Sequence, residues 1–268
     1  MPQSDQIHRL VASNFGPVAA NYATSAGHAN KQALAELVEL IVPASDSVML
    51  DIATGAGNVA LAFSPYVAKV VAFDLTPAML EQTLRSARER RIGNVEAVQG
   101  VAEELPFENR AFDLVTVRLA PHHYADIVKA VNEMARVLRP GGKLLIVDTT
   151  VPEDDELDRE INEIEWIRDD SHVRNYRPSE WRRMVESAGL QVLSEEIKFY
   201  TEGFEMDFDA WVERIRTPAP NVAELRRRLH SASPKLAAAI KLHVYGDRIG
   251  FVWPQLVMVA QFPMGSLG

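Results

Sequence analysis

A short apolar run, Ser47 to Ile52 (SVMLDI), breaks directly into a turn that carries glycines at 55 and 57. Such a run reads as a strand buried on both faces, which belongs in a parallel sheet covered by helices. Glycines just after the strand let the backbone turn sharply. They also let a ligand approach with no β-carbon in the way. In an open α/β sheet that turn lies at the carboxyl edge, where ligands bind. Asp51, at the end of the strand, can hold a cationic or hydroxyl group across the turn.

The rest of the first half keeps a strand–helix rhythm. Gln32 to Val42 has apolar residues at helical spacing and is stopped by Pro43. Asn58 to Ser64 reads as a helix, Lys69 to Asp74 as a second strand, and Pro77 opens a long helix. Val95 to Val98 and Phe112 to Val117 are strands three and four, and Ala125 to Leu138 is a helix. Pro140-Gly141-Gly142 makes a tight turn into strand five, Lys143 to Asp148. Alternation of this kind predicts right-handed crossovers and a parallel sheet. After Asp148 the pattern changes. Glu153 to Asp170 and Pro178 to Gly189 read as helices, and Gln191 to Tyr200 as a sixth strand. Phe204 to Val244 reads as mostly helical. Phe251 to Phe262 reads as one last strand, with Pro254 suggesting an edge position or a bulge near its start. The tail from Pro263 is loose.

The 268 residues carry a formal net charge of −9. An acidic chain is a poor partner for nucleic acid, whose binding rests on phosphate neutralisation. The clusters Arg88 to Arg91 and Arg226 to Arg228 have acidic neighbours and read as solvated helix faces. There is no cysteine, which removes disulfides, thiolate zinc sites, iron–sulfur clusters and a cysteine nucleophile. It suits a cytoplasmic setting. No secretory signal or stretch of about 20 apolar residues is visible, so no membrane insertion is expected. Glu153, Asp154 and Asp155 are adjacent, point apart and suggest no metal site.

Asp74 ends the second strand, where an acidic residue accepts hydrogen bonds from ribose hydroxyls. Gly55 to Ala60 also satisfies the G-x-G-x-x-G/A pattern of nicotinamide dinucleotide sites. Asp51, four residues before the first glycine, is foreign to such sites, where an apolar strand usually runs straight into the turn. Nothing later resembles a dehydrogenase's catalytic segment.

Several later segments carry a different resemblance. LDIATGAGN, VVAFDLTPAML, GVAEELPFENRAFDLVTV and LRPGGKLLIVD, from about residue 47 to 148, resemble the successive motifs of class I S-adenosylmethionine-dependent methyltransferases. The R-x-x-x-H-H pattern after strand four and the segment FGPVAANYATSAGHA are similar to the ubiquinone/menaquinone-biosynthesis branch. The resemblance implies an α/β, Rossmann-like seven-stranded sheet of order 3-2-1-4-5-7-6, last strand antiparallel, with helical lid insertions. It implies one methyltransferase domain over 1–268, with an N-terminal helical flap (1–45), a cofactor core (46–150) and acceptor-side helices and strands (151–262). S-Adenosylmethionine is the implied cofactor. Asp51, Ala53, Thr54, Gly55, Gly57, Asp74, Leu75, Val101, Ala102, Arg118 and Tyr22 would bind it, with Leu75 against adenine. Val101 departs from the family, which usually has Asp there as partner of the adenine amino group.

Sulfonium methyl transfer needs positioning, exclusion of water, and a base only where the acceptor loses a proton. His122 and His123 follow strand four at the ligand edge and are the candidate bases, His123 ahead. Arg118 touches the methionine carboxylate or pairs with Asp126 or Asp148. His172, Arg174, Tyr176 and Trp166 are candidate acceptor residues, and Trp166, Phe204, Phe208 and Trp211 a candidate apolar wall. Each has a plain packing role as its alternative. The expected reaction is methyl transfer to a small, partly apolar molecule. The rivals are a non-methylating enzyme on the same fold, a binding module, and an NAD-dependent oxidoreductase.

Overall fold

Five segments pair side by side in parallel: β1 (Val48–Ile52), β2 (Lys69–Asp74), β3 (Val95–Gln99), β4 (Phe112–Arg118) and β5 (Leu138–Thr149). The structure is a computed structural model and describes residues 4–24, 29–199 and 206–264. The later strands are β6 (Gln191–Lys198), β7 (Met206–Asp207), β8 (His243–Tyr245), β9 (Arg248–Phe251) and β10 (Gln255–Gln261). β10 lies between β5 and β6, antiparallel to both. The main sheet therefore runs β3-β2-β1-β4-β5-β10-β6. This is the expected order, with the last strand antiparallel.

Side-chain alternation along the strands sorts two cores. Met49, Val70, Ala72, Leu114 and Val147 face α3 (Lys31–Ile41) and α4 (Asn58–Phe63), and pack with Leu37, Ile41, Val59 and Phe63. Leu50, Ile52, Val71, Val115, Val117 and Ile146 face the opposite side, with α6 (Ile127–Val137) and α8 (Pro178–Ser187) supplying Val131, Met134, Trp181 and Val185. Each fully buried Leu, Ile or Val contributes about 1.5–3 kcal/mol. Helix ends follow their sequences: the Asn30 side chain accepts the Ala33 amide at 3.0 Å, and Asp126 accepts that of Lys129 at 2.9 Å. α5 (Pro77–Glu89) packs on β2 and β3.

The Pro140-Gly141-Gly142 turn is a bulge in the ladder. Leu138 pairs with Phe112 and Lys143 with Leu114, so four residues of β5 loop out between them. Gly141 has φ +81°, and a β-carbon on Gly142 would sit 2.9 Å from the Arg139 carbonyl oxygen.

Two expectations for the C-terminal part need correction. The 204–244 stretch is not only helical: besides α9 (Phe208–Glu213), α10 (Ala219–His230) and α11 (Pro234–Ala239) it holds β7 and most of β8, which form a second sheet in the order β7-β9-β8. Phe251 to Phe262 is also not one strand. Phe251 ends β9, the chain breaks at Val252 to Pro254, and β10 begins at Gln255. Pro254 thus lies outside β10, which is an interior strand. Its carbonyl accepts the Thr150 amide at 3.0 Å. These elements and α7 (Asp155–Arg168) enclose a third core with Phe208, Trp211, Phe251 and Trp253. The N-terminal helices α1 (Ser4–Phe15) and α2 (Ala19–Thr24) lie over the carboxyl edge of the main sheet, where Val18, Ala19 and Tyr22 pack on Ala56 and Met79.

Candidate active site

β1 runs into a loop whose backbone is left-handed at Ala53 (φ +51°), Gly55 (φ +55°) and Gly57 (φ +83°). Thr54 donates its amide to the Phe73 carbonyl at 3.0 Å, tying the loop to β2. Asp51 is fully buried, and its two oxygens tie the loop to β4 and to the start of α4. Oδ1 accepts the Thr116 hydroxyl at 2.7 Å; Oδ2 accepts the Thr54 hydroxyl at 2.6 Å and the Ala60 amide at 3.1 Å. The hydroxyl that Asp51 holds across the turn is therefore the protein's own. Burial pushes its pKa up to about 6, against the pull of these donors.

Asp74 ends β2 beside the loop. Its Oδ2 accepts the Gly55 amide and its Oδ1 the Thr76 amide, both at 2.8 Å, while burial raises its pKa. A cleft opens over these two carboxylates. It is lined by Asp51, Ala53, Thr54 and Gly55 from the loop, by Asp74 and Leu75 after β2, and by Val101 and Ala102 after β3. Arg118 and His123 line it after β4, and Tyr22 from α2. Every expected cofactor residue reaches the cleft except Gly57. Gly57 sits behind the loop, where a β-carbon would lie 2.6 Å from Thr83. This set fits an adenosyl cofactor: a backbone cradle clear of side chains, a buried carboxylate for hydroxyl donors, and apolar residues 75, 101 and 102 for a flat ring.

His8, Val11 and Phe15 also line the cleft, together with Leu119, Ala120 and Tyr124. The first three lie three and four residues apart, so they form one face of α1. His8 Nε2 is 3.4 Å from Glu103, which also lines the cleft and accepts the Ala125 amide at 2.8 Å. The spacing of these three is the one signal by which the α1 face was legible in advance.

Three histidines cluster beside the cleft. The His122 and His123 ring centroids are 4.3 Å apart, and His172 is 5.7 Å from His122 and 6.4 Å from His123. His122 places Nδ1 2.6 Å from Asp148 Oδ1. Burial lowers its pKa, but the Asp148 charge and hydrogen bond outweigh that and raise it. The Asp148 position expected to pair with Arg118 is thus taken by His122, and Asp126 caps α6. His123 packs edge-on against Phe15, centroids 5.0 Å apart. Burial and the His122 charge pull its pKa well below the ordinary range. Among the described residues no group of His, Asp or Glu is arranged to hold a metal.

The structure does not bring the expected acceptor residues into the cleft. Arg174 donates to Asp158 at 2.8 Å and to Glu180 at 3.2 Å, and Arg177 donates to the same Asp158 oxygen at 2.6 Å. The charged head of Arg174 is thus spent on a clamp between α7 and α8. Tyr176 stacks edge-on against Trp181 and accepts the Thr150 hydroxyl at its carbonyl. His172 is buried with Nε2 3.1 Å from Asn162 Oδ1. Trp166 is 59% exposed on α7. Phe208 and Trp211 belong to the third core, and Phe204 lies outside the described residues. Arg226, Arg227 and Arg228 pair with Asp209, Glu224 and Glu163, as a solvated face would.

Residues 50–146 match the family model described as a methyltransferase domain. The chain is 40% identical to the uncharacterized methyltransferase YcgJ of Bacillus subtilis over 205 residues, 76% of this chain and 79% of YcgJ. The crystal structure of YcgJ superposes with a TM-score of 0.80, covering 87% of this chain and 99% of that one. Similarity to the ubiquinone/menaquinone biosynthesis C-methyltransferase UbiE of Idiomarina loihiensis is 42% identity over 108 residues, 39% of this chain and 43% of UbiE. Loop, cleft, sheet order and relatives agree: the chain belongs to the class I S-adenosylmethionine-dependent methyltransferases.

Proposed function

We propose that this methyltransferase acts on a small, partly apolar acceptor and that His123 takes the acceptor's proton. The observation that carries the reading is the closure of the cleft by α1 and α2. Val11, Phe15 and Tyr22 make an apolar roof, and the His123 ring stands under its edge, 5.0 Å from Phe15. A roof of this kind excludes water and large polar polymers, and favours a compact acceptor held in line.

S-Adenosylmethionine supplies an activated sulfonium methyl when bound. Asp74 would hold the ribose, and the 53–55 backbone together with Arg118 and Tyr22 the methionine end. Leu75, Val101 and Ala102 would pack against the adenine. His123, kept neutral by burial and by its charged neighbour His122, has a ring nitrogen ready for a proton. The partial likeness to a ubiquinone/menaquinone biosynthesis C-methyltransferase puts quinone-related rings first among the acceptors to test.

Calorimetry with S-adenosylmethionine, S-adenosylhomocysteine and NAD, followed by an acceptor panel read as S-adenosylhomocysteine release, tests this reading. Tight binding of the first two and turnover on an aromatic or apolar acceptor support it. Absence of their binding would sink it. Binding without methyl loss on any acceptor points instead to a non-methylating member of the fold.

A further inference from the structure

The turn after α7 is built around one carboxylate. Asp169 Oδ1 accepts the Ser171 amide at 2.9 Å, the Ser171 hydroxyl at 2.6 Å and the Asn14 amide group of α1 at 3.1 Å. Asn14 also donates to Asp170 at 2.8 Å. Oδ2 is buried and has no hydrogen-bond partner among the described residues. It faces His123 Nε2 across 3.9 Å.

The other side of the imidazole fixes its tautomer. Nδ1 lies 3.0 Å from the Ser171 carbonyl, which only accepts, so Nδ1 carries the hydrogen. The Ser171 hydroxyl, 3.3 Å from Nδ1, has already given its proton to Asp169. In the neutral ring, Nε2 therefore bears a lone pair. The 3.9 Å gap to Oδ2 is too wide for a hydrogen bond, so Nε2 is not committed to the carboxylate.

We infer that Asp169 is the positioning carboxylate for His123, set to receive the imidazolium formed when Nε2 takes the acceptor's proton, and tied to the N-terminal flap through Asn14. This rests on the reading of His123 as the base. The acceptor's proton goes to Nε2, the pair it leaves forms the bond to the methyl carbon, and the pair of the breaking carbon–sulfur bond stays on sulfur. Buried acceptor atoms are normally paired; Oδ2 has no partner while His123 is neutral, and faces a positive charge across 3.9 Å once the ring is protonated. His122, His172, Arg168 and Glu165 surround the couple. Burial and the His122 charge oppose imidazolium formation at His123, and Asp169 offsets them. Burial alone would raise the Asp169 carboxyl, but attraction to His123 whenever that ring is protonated, the Ser171 hydrogen bonds and the Arg168 charge together hold it low, hence ionised.

Histidine-ring nitrogen NMR on the protein saturated with S-adenosylhomocysteine reads this directly. In the unmodified chain His123 is expected as the Nδ1–H tautomer. In Asp169→Asn its acid dissociation constant is expected to rise at least tenfold. An Nε2–H tautomer, or an unchanged titration in a folded Asp169→Asn variant, overturns the inference. The tautomer reading stands even where that variant fails to fold. Full methyl transfer by His123→Asn overturns both this inference and the reading beneath it. An inactive His123→Asn beside an unchanged Asp169→Asn titration overturns this inference alone.

Discussion

Thr83 of α5 stands 2.6 Å from the point a β-carbon on Gly57 would occupy. The Thr83 hydroxyl also donates to the Gly55 carbonyl at 2.9 Å, so the helix and the cofactor loop are stitched together at this contact. Gly57→Ala adds the clash to the strain of φ +83°. The strain costs about 1–3 kcal/mol and the crowding about as much again. The expected result is a melting temperature lower by roughly 5–15 °C and S-adenosylhomocysteine affinity weakened about tenfold or more, since about 1.4 kcal/mol suffices for each tenfold. Gly93→Ala, where a β-carbon meets nothing within 4 Å, is the control and should shift neither by a measurable amount.

Asp51 gives the stability a pH slope of definite sign. Its folded pKa is about 6 against an ordinary value of 3.8, so between these values the folded chain binds the proton more readily. Unfolding then releases a proton, and raising the pH from about 4 to about 6 lowers stability, with little further change above 7. Two pKa units correspond to about 3 kcal/mol as an order of magnitude. The melting temperature of the unmodified chain minus that of Asp51→Asn should fall across this window. A difference that stays constant with pH would mean the carboxylate titrates normally.

The cofactor half was legible because its signals are local. A strand entering a Gly-rich turn, an acid at the end of β2 and the R-P-G-G bulge each declare their backbone within a few residues. The strand order rested on resemblance: alternation declares a parallel sheet but not which strands are neighbours, and antiparallel insertion of β10 leaves no mark of its own in the sequence. The second sheet was missed for a physical reason. Met206–Asp207 is too short to show a period, and all three residues of His243–Tyr245 are exposed. The break at Pro254 hid inside a continuous apolar run that serves two different sheets. Arg174 and Trp166 misled because residue type states what a side chain can do, while its direction is set by tertiary packing. The same holds in reverse for His8, Val11 and Phe15, whose helix becomes a roof only once it folds over the carboxyl edge of the sheet.

The Arg174 clamp leads to a prediction that separates structure from catalysis. Arg174 shares Asp158 with Arg177, and its side chain is 36% exposed. Solvent screening therefore limits the cost of Arg174→Ala to about 1 kcal/mol, a few degrees in melting temperature. Asp158→Ala removes the partner that both guanidinium groups share, leaving Arg174 with Glu180 and Arg177 with Asp155, and should lower the melting temperature further than Arg174→Ala does. Neither variant, nor Trp166→Ala, is expected to change S-adenosylhomocysteine affinity or the acceptor KM. A large rise in KM for Arg174→Ala with an unchanged melting temperature would instead put Arg174 on the acceptor.

Val101 lines the cleft next to Ala102 and is held by a bridge to Glu104, whose amide donates to the Val101 carbonyl at 3.1 Å. The resemblance implies that an aspartate here would accept a hydrogen bond from the adenine amino group. Val101→Asp restores that acceptor without moving the backbone. A net gain of about 0.5–1.5 kcal/mol corresponds to roughly 2–10-fold tighter binding of S-adenosylhomocysteine, measured by calorimetry. Weaker binding at every pH would mean that the adenine amino group does not face residue 101, and that the ring is held through Leu75 and the 101–102 backbone alone.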